Sequence, residues 1–434
     1  MADTSIPLKI SIAPFPEGFE GDMDETFQQA CILMEATVEG QFLTGLILPP
    51  GSSLPTTDQG PIAMGGVWYF FDPVSGQYLP QSLQARAAKN YVKNSCYQIQ
   101  QISIGGAGPA LVAGVNKIYD MCLCRMTPTA GVLTIVSDVG PPASAVNDNL
   151  PAAIKYTVGT VVATLGATDL YAHEHLIEGS DIAMIQGEPL TLSFFCWVNQ
   201  PGTYSAYLSS GGRDESYCMT FTMPTANTWT RVQIPNIPAM PTAGTWTYGE
   251  GTTGLYIGVV MACGSQWQTA NTGKWNGGLF MAGTSQSNMC SVTGNQMKIT
   301  GMRLEASPQA GFATVNSFEA DLHDAIRYYW TSYNYQSATV GVWALNLIAQ
   351  IAGSAAGSML FPRRMAKVPT VTLYSVVSNT AARLYNATTG VDVTAFANPV
   401  VTTKGINTSG AITTPASAKS DVIIAMVTAD ARLA

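Results

Sequence analysis

The amino-acid sequence predicts a mainly β protein built round an antiparallel two-sheet sandwich of jelly-roll type, and three observations predict it. From about Asn94 to Pro308, apolar residues recur at every second position in segment after segment, with Gly, Pro, Asn and Thr turns between them. Charged residues make up only 11% of the chain while Gly, Thr, Ser, Ala and Asn abound, a balance that suits sheets exposing hydroxyls and amides. Against this background one stretch, Asn316–Asn334 (NSFEADLHDAIRYYWTSYN), is well signed as a helix.

Taken in order, residues 1–92 read as a small α+β unit. Asp22 can cap a helix through about Ala36 with Phe27, Ala30, Cys31 and Met34 on one face. Strands over Gln41–Leu48 and Gly66–Phe71 follow, each closed by proline-marked turns. A docking module and an ordinary small domain fit these residues equally.

Residues 93–310 carry the sandwich. Leu190, Leu192, Phe194, Cys196 and Val198 alternate with Thr191, Ser193, Phe195 and Trp197, which predicts a half-buried strand whose outer face ends in aromatics. Tyr217, Met219, Phe221 and Met223 repeat the scheme, as do Leu255, Ile257, Val259 and Met261. Within Met297–Glu305 the apolar phase slips at Gly301, from Met297 and Ile299 to Met302 and Leu304, which predicts a bulge.

In the helical stretch, Phe318, Leu322, Ala325, Ile326 and Tyr329 form an apolar face. Asn316 can cap its first turn and Glu319 close it, and Glu319 and Asp321 suit the positive end of the dipole. Tyr328, Tyr329, Trp330, Tyr333 and Tyr335 crowd the exit, more aromatic surface than one short helix hides. Either a neighbouring domain or a second subunit must cover it. Val340–Phe361 is uncharged and long enough to span a bilayer, but Trp343, Leu345, Leu347, Ala349 and Ile351 alternate with a more polar set. A strand fits better than a membrane helix, so no membrane insertion is expected.

A net charge of -8 and a pI near 4.9 argue against a nucleic-acid partner. Cys31, Cys96, Cys122, Cys124, Cys196, Cys218, Cys263 and Cys290 are scattered, several of them inside apolar strand patterns, and read as buried thiols. With no basic start and apolar h-region ahead of a cleavage site, folding in a reducing compartment is expected.

Enzyme signatures are absent: there is no G-x-S-x-G, Walker loop, H-E-x-x-H, paired C-x-x-C or EF-hand loop. His173-Glu174-His175 puts two imidazoles on one face of a strand and, with Asp169 or Glu178, suits a metal, though a surface loop explains it equally. Asp138, Asn147, Asp148 and Asn149 suit calcium or a polar turn. The adjacent Asp214 and Glu215 point to opposite faces of an extended chain. The expectation is therefore no enzyme, no metal and no cofactor. Trp246, Tyr248, Trp267 and Trp275 lie in Gly, Thr, Asn and Gln-rich loops, as rings that stack on sugars do, and are the glycan-binding candidates beside a scaffold role.

The succession Gly187–Leu208, Ser216–Ile237, Gly244–Ser265, Gln296–Pro308 and Ala325–Asn334 resembles a module of bacteriophage tail-fibre and related virion proteins. In that family the module opens with an Asn, aromatic, Gln segment and a Tyr-x-Asp-x-x-x-Arg element, where this chain has Asn94–Gln101 (NSCYQIQQ) and Tyr119–Arg125 (YDMCLCR). Phe361–Tyr374, Leu384–Gly390 and Val427–Leu433 are similar to the β-domain that follows the Arg-Tyr-Tyr element there. The wording Gly65–Tyr69 (GGVWY) is similar to N-terminal segments that join such fibres to the virion.

The resemblance implies a virion-attachment module over 1–92, a carbohydrate-binding-like jelly roll over 93–310, and a connecting helix with a C-terminal β-domain over 311–434. It implies a non-enzymatic tail or collar fibre assembled in the host bacterial cytoplasm, which contacts other virion proteins through residues 1–92 and a host-surface glycan elsewhere. A capsid or neck decoration is the alternative, and a glycan-degrading tailspike a third. Fibres of this kind are homotrimeric, which places Tyr328, Tyr329, Trp330 and Trp343 at or beside a subunit contact.

Overall fold

The structure is a computed structural model that describes residues 34–38, 41–48, 62–64, 67–72, 77–80, 89–101, 111–119, 121–128, 132–142, 150–311, 315–332, 345–351, 354–394, 400–411 and 420–433. The chain divides into two compact units, Met1–Ala88 and Lys89–Ala434. The sandwich and the C-terminal β-domain, expected as separate domains, fall in the same unit.

In the first unit, β1 (Met34–Val38), β2 (Gln41–Leu48), β3 (Ile62–Met64), β4 (Val67–Asp72) and β5 (Gln77–Pro80) form one five-stranded sheet in chain order. The strands over Gln41–Leu48 and Gly66–Phe71 are present, the second as Val67–Asp72. Met34–Ala36, expected at the end of a helix, instead pair with Gly45, Thr44 and Leu43. The β-branched Thr37 and Val38 continue that strand and favour it over a helix. The rest of the expected helix lies outside the described residues.

The second unit opens with the sandwich. Its strands are β6 (Gly114–Tyr119), β7 (Cys122–Met126), β8 (Val132–Val139), β9 (Ala152–Thr160), β10 (Leu170–Glu178), β11 (Leu190–Val198) and β12 (Gly202–Ser210). Then come β13 (Glu215–Met223), β14 (Thr228–Ile237), β15 (Thr253–Cys263), β16 (Gln268–Thr269), β17 (Trp275–Gly277), β18 (Ala282–Gly283) and β19 (Gln296–Glu305). They make a seven-stranded sheet, β17-β13-β12-β15-β10-β7-β6, facing a five-stranded sheet, β14-β11-β19-β9-β8, the two-sheet jelly roll that the period-two pattern requires. Phe194, Cys196, Tyr204, Leu208, Ile257, Met297 and Ile299 are among the residues that fill the space between them.

The bulge forms where the apolar phase slips. Ser193 and Phe195 of β11 face Arg303 and Thr300 of β19, so the second strand carries one residue more, and Gly301 takes up the turn at φ 62°. β11 itself departs from the half-buried expectation, because Thr191, Ser193 and Phe195 are buried on its outer face. The covering layer is the segment Lys89–Gln101, which hydrogen-bonds along β19 (Tyr91 N to Leu304 O, 3.0 Å; Met302 N to Ser95 O, 3.1 Å) and packs Cys96 with Leu150 and Phe195. Alternation within a strand cannot report a cover supplied by a distant segment.

The connecting helix spans Phe318–Ile326. Ser317, rather than Asn316, is the N-cap, its hydroxyl accepting from Ala320 N, while Asn316 donates to Asp321 Oδ1 at 2.9 Å. Asp321 and Ala325 are its buried residues, and Phe318, expected on the apolar face, is exposed. Asp321 is drawn inward by its amide partners, and this rotates the helix away from the face that hydrophobicity alone selects.

The C-terminal β-domain consists of β20 (Tyr329–Thr331), β21 (Leu345–Ile351), β22 (Ser354–Leu360), β23 (Thr370–Tyr374), β24 (Arg383–Asn386), β25 (Val391–Thr394), β26 (Val400–Val401), β27 (Gly405–Ala411) and β28 (Val422–Asp430), joined in a nine-stranded sheet. The uncharged stretch forms β21 and β22, which pair antiparallel; Leu345, Leu347 and Ala349 are buried and Asn346 and Ile348 exposed. Among the described residues no helix is long and apolar enough to cross a membrane.

Candidate functional site

Two of the four glycan candidates are brought together. Trp275 on β17 sits opposite Tyr217 of β13, and its ring meets Tyr217 and Trp246 edge-on at centroid distances of 5.5 and 5.6 Å. Trp267 belongs to another cluster, packed against Leu170, Tyr207 and Met281. Their indole N–H groups donate to backbone carbonyls: Trp246 to Ala243 at 2.8 Å, Trp267 to Thr168 and Trp275 to Pro238 at 3.0 Å each. These three rings are half-buried and fasten loops to the sheet, whereas Tyr248 is 41% exposed.

The alternation of β10 separates His173-Glu174-His175 as the sequence requires. Both imidazoles enter the space between the sheets. His173 shares hydrogen bonds of 2.8 Å with the hydroxyls of Tyr97 and Tyr156, so one tyrosine donates to the ring and the other accepts from it. No well-formed hydrogen bond reaches either ring nitrogen of His175. Burial holds both rings neutral, pulled down to about 3. They are core residues, and no metal-ligating group of three forms among the described residues.

Glu174 emerges on the outer face of the seven-stranded sheet, yet it is fully buried. Arg213 grips both its oxygens at 2.8 Å, Arg125 approaches at 3.2 Å, and Tyr207 donates its hydroxyl. Burial pushes the Glu174 carboxyl up, but the Arg213 hydrogen bonds and charge outweigh it, so the acid stays ionised. The Arg213 guanidinium lies 3.6 Å from the Tyr256 ring centroid. Sequence reading missed this cluster, since nothing in the Gly211-Gly212-Arg213 turn announces a partner 39 residues away.

Of the other acids, Glu215 is buried, and burial first and the Asp214 charge second push its carboxyl up. Asp214 accepts from Ser210 Oγ and from the backbone and hydroxyl of Thr245, and Asp169 accepts from Gly166 N. Asp138 pairs with Lys155 and Lys298; Asn147, Asp148 and Asn149 lie outside the described residues.

Four strand positions along from Glu174, on the same face, Glu178 accepts from Arg327 (2.7 and 3.1 Å), the Tyr328 hydroxyl (2.6 Å) and Gly251 N (2.7 Å). Tyr328 is buried among Met121, Leu123, Leu176 and Leu433. Gln98 donates to Asp321 at 2.7 Å and Gln101 to Tyr329 O at 2.6 Å, while the Asn94 amide braces their turn through both backbone groups of Ile99. Of the aromatic exit of the helix, Tyr328 is buried within the chain, Tyr329 and Trp330 are half-buried, and Tyr333 and Tyr335 lie outside the described residues. Tyr328 closes against the sandwich, Trp330 packs edge-on against Phe361 at 5.7 Å, and the Tyr329 ring lies 5.1 Å from the Arg432 guanidinium. Tyr328 therefore lines an intrachain interface and not an open subunit face; Trp343 lies outside the described residues.

Fold and site together define a jelly-roll sandwich bolted to a second β-domain. No family model matches the sequence, and no curated protein matches it. Among solved structures, it is similar to the carbohydrate-binding module TmCBM61 in complex with beta-1,4-galactotriose (13% identity, TM-score 0.25, 50% of this chain and 98% of that one). It is also similar to the enzymatically active domain of bacteriophage CBA120 tailspike protein 4 (13% identity, TM-score 0.26, 49% of this chain and 22% of that one). A third is the family 11 carbohydrate-binding module from Clostridium thermocellum with a mixed-linked tetrasaccharide (9% identity, TM-score 0.24, 46% of this chain and 100% of that one).

Proposed function

We propose that the protein is a non-enzymatic structural component of a tailed-bacteriophage virion, a tail or collar fibre whose sandwich meets host-surface glycans. The observation that carries this reading is the convergence of its three fibre-like motifs on one joint. Asn94–Gln101 supplies Gln98 and Gln101, Tyr119–Arg125 supplies Met121, Leu123 and Arg125, and the Arg-Tyr-Tyr element supplies Arg327, Tyr328 and Tyr329. What these motifs build is a rigid connection between a β-sandwich and a β-domain, an architectural task. The buried outer-face carboxylates Glu174, Glu178 and Glu305 are each held by arginine and so are poor proton donors or nucleophiles.

A homotrimer remains part of the proposal, with the contact on the outer face of the C-terminal β-domain. There Ile348, 60% exposed, stands directly opposite the exposed Val422, and Leu360 is 80% exposed. Light scattering on the purified protein tests the assembly: a trimer mass that persists on dilution is expected, and a stable 45.9 kDa monomer counts against it. Mass spectrometry and a density map of purified particles test the virion assignment, which fails if the chain is absent from them. Incubation with host polysaccharide is expected to release no reducing ends.

A further inference from the structure

We propose that the outer face of the five-stranded sheet is a binding platform for a carboxylated glycan, centred on Trp197, Trp229, Lys155 and Lys298. Strand register puts these four in one row: Trp229 of β14 faces Trp197 of β11, Trp197 faces Lys298 of β19, and Lys298 faces Lys155 of β9. Trp229 packs at the margin of the Cys96, Leu150 and Phe195 cluster under the Lys89–Gln101 cover, and all four side chains are half-buried.

Three observations point to a ligand. First, among the described residues the indole N–H groups of Trp197 and Trp229 find no hydrogen-bond acceptor, whereas those of Trp246, Trp267 and Trp275 are each fastened to a carbonyl. Paired indoles with spare donors on a flat sheet can stack on a sugar's C–H face and bond its hydroxyls. Second, two ammonium groups converge on one carboxylate. Lys155 Nζ and Lys298 Nζ stand 2.9 and 3.0 Å from the same oxygen of Asp138, with side chains 25% and 19% exposed. Their summed charge exceeds that of Asp138 by one, a local positive surplus on a chain whose net charge is -8. Third, Lys298 Nζ lies 4.5 Å from the Trp197 ring centroid, so cationic and stacking groups are adjacent.

A carboxylate carried on a pyranose ring matches this spacing of charge and aromatic surface. The surplus of one positive charge matches a single carboxylate rather than a phosphate dianion. The inference rests on the reading that the protein engages host glycans, but it places the contact on the sheet face and not on the loop rings.

The test is titration of the full-length protein with oligogalacturonate, with neutral galacto-oligosaccharide of equal length and with a glycerol-phosphate polymer, followed by calorimetry and tryptophan fluorescence. Expected are saturable, salt-sensitive binding of oligogalacturonate with a change in tryptophan emission, and at least tenfold weaker binding of the other two. Trp197→Ala should abolish it, and Lys155→Gln with Lys298→Gln should weaken it at least tenfold while leaving the protein folded, with only a small drop in melting temperature; Tyr248→Ala should leave it intact. Should Trp197→Ala fail to fold, the lysine pair decides. Absence of binding, preference for the neutral or phosphorylated probe, or indifference to the lysine substitutions would overturn the proposal. None of these outcomes touches the virion assignment, which the particle map decides separately.

Discussion

The two outer faces of the sandwich are covered to different extents. On the seven-stranded side, Leu170, Ala172, Glu174, Leu176 and Glu178 of β10 are all buried, beneath the loop that carries Trp267 and Met281 at one end and the Tyr328 and Leu433 contact at the other. On the five-stranded side, Phe195 and the Arg303–Glu305 pair are buried, while Trp197, Lys298 and Lys155 remain half-exposed. Both faces carry acid and base, but only their covered parts need them matched atom for atom, since a charge without solvent must find its partner in the protein. Sheet chemistry alone therefore does not identify a binding face; cover does.

The sharpest way to break this contrast is to delete one charge on each side. Glu174→Ala leaves Arg213 and Arg125 beside an empty site and Tyr207 without its acceptor, and should cost about 3–5 kcal/mol. Lys298→Ala, on the open face, should cost less than about 1 kcal/mol. Urea denaturation of the two variants checks the difference, and equal losses would mean that the faces are energetically alike.

Acid should separate core from surface. His173 and His175 are pulled down by burial to about 3, whereas in the unfolded chain they take up protons near pH 6.5. The unfolded state therefore binds more protons below pH 6.5, and the stability present above it is lost as the pH falls towards 3. Replacing His175, which lacks hydrogen-bond partners, by Leu should lower the midpoint of acid unfolding. The same change at His173 should destabilise at every pH by removing its hydrogen bonds with the Tyr97 and Tyr156 hydroxyls. Circular dichroism against pH distinguishes the two.

An effect between those of Glu174→Ala and Lys298→Ala is expected at the margin between covered and open surface. A Cβ on Gly301 would lie 3.1 Å from Leu150 Cδ1 and Phe195 Cδ2, at φ 62°. Gly301→Ala should cost roughly 1–2 kcal/mol, read as a lowered melting temperature, with binding at Trp197 preserved.

Much of this architecture is legible in the sequence because it is local. The alternation of Tyr217 to Met223, the phase slip at Gly301 and the helix start near Asn316 are each dictated within a few residues, the last with its cap displaced by one position to Ser317. What is not legible is non-local. Phe195 is buried by Cys96 and Leu150, Glu174 is matched by Arg125 and Arg213, and Tyr328 finds Glu178 at a separation of 150 residues. Of the candidate rings, composition finds the loop tryptophans but cannot tell that their N–H groups are already spent. Trp197 is visible as the aromatic end of an outer face, yet its row with Lys298 and Lys155 depends on strand order.

The joint at Gln98 and Gln101 has a mechanical consequence. The chain enters the sandwich through Lys89–Gln101 and leaves it through Asp321–Tyr329, and these two segments are tied to each other directly by Gln98 to Asp321 and Gln101 to Tyr329 O. Tension applied along the backbone across this unit therefore passes from the incoming segment to the connecting helix over a short clamp, shunting the load past the strands between them. The sandwich hangs beside the line of pull, so that its exposed face keeps its shape while the chain is under strain.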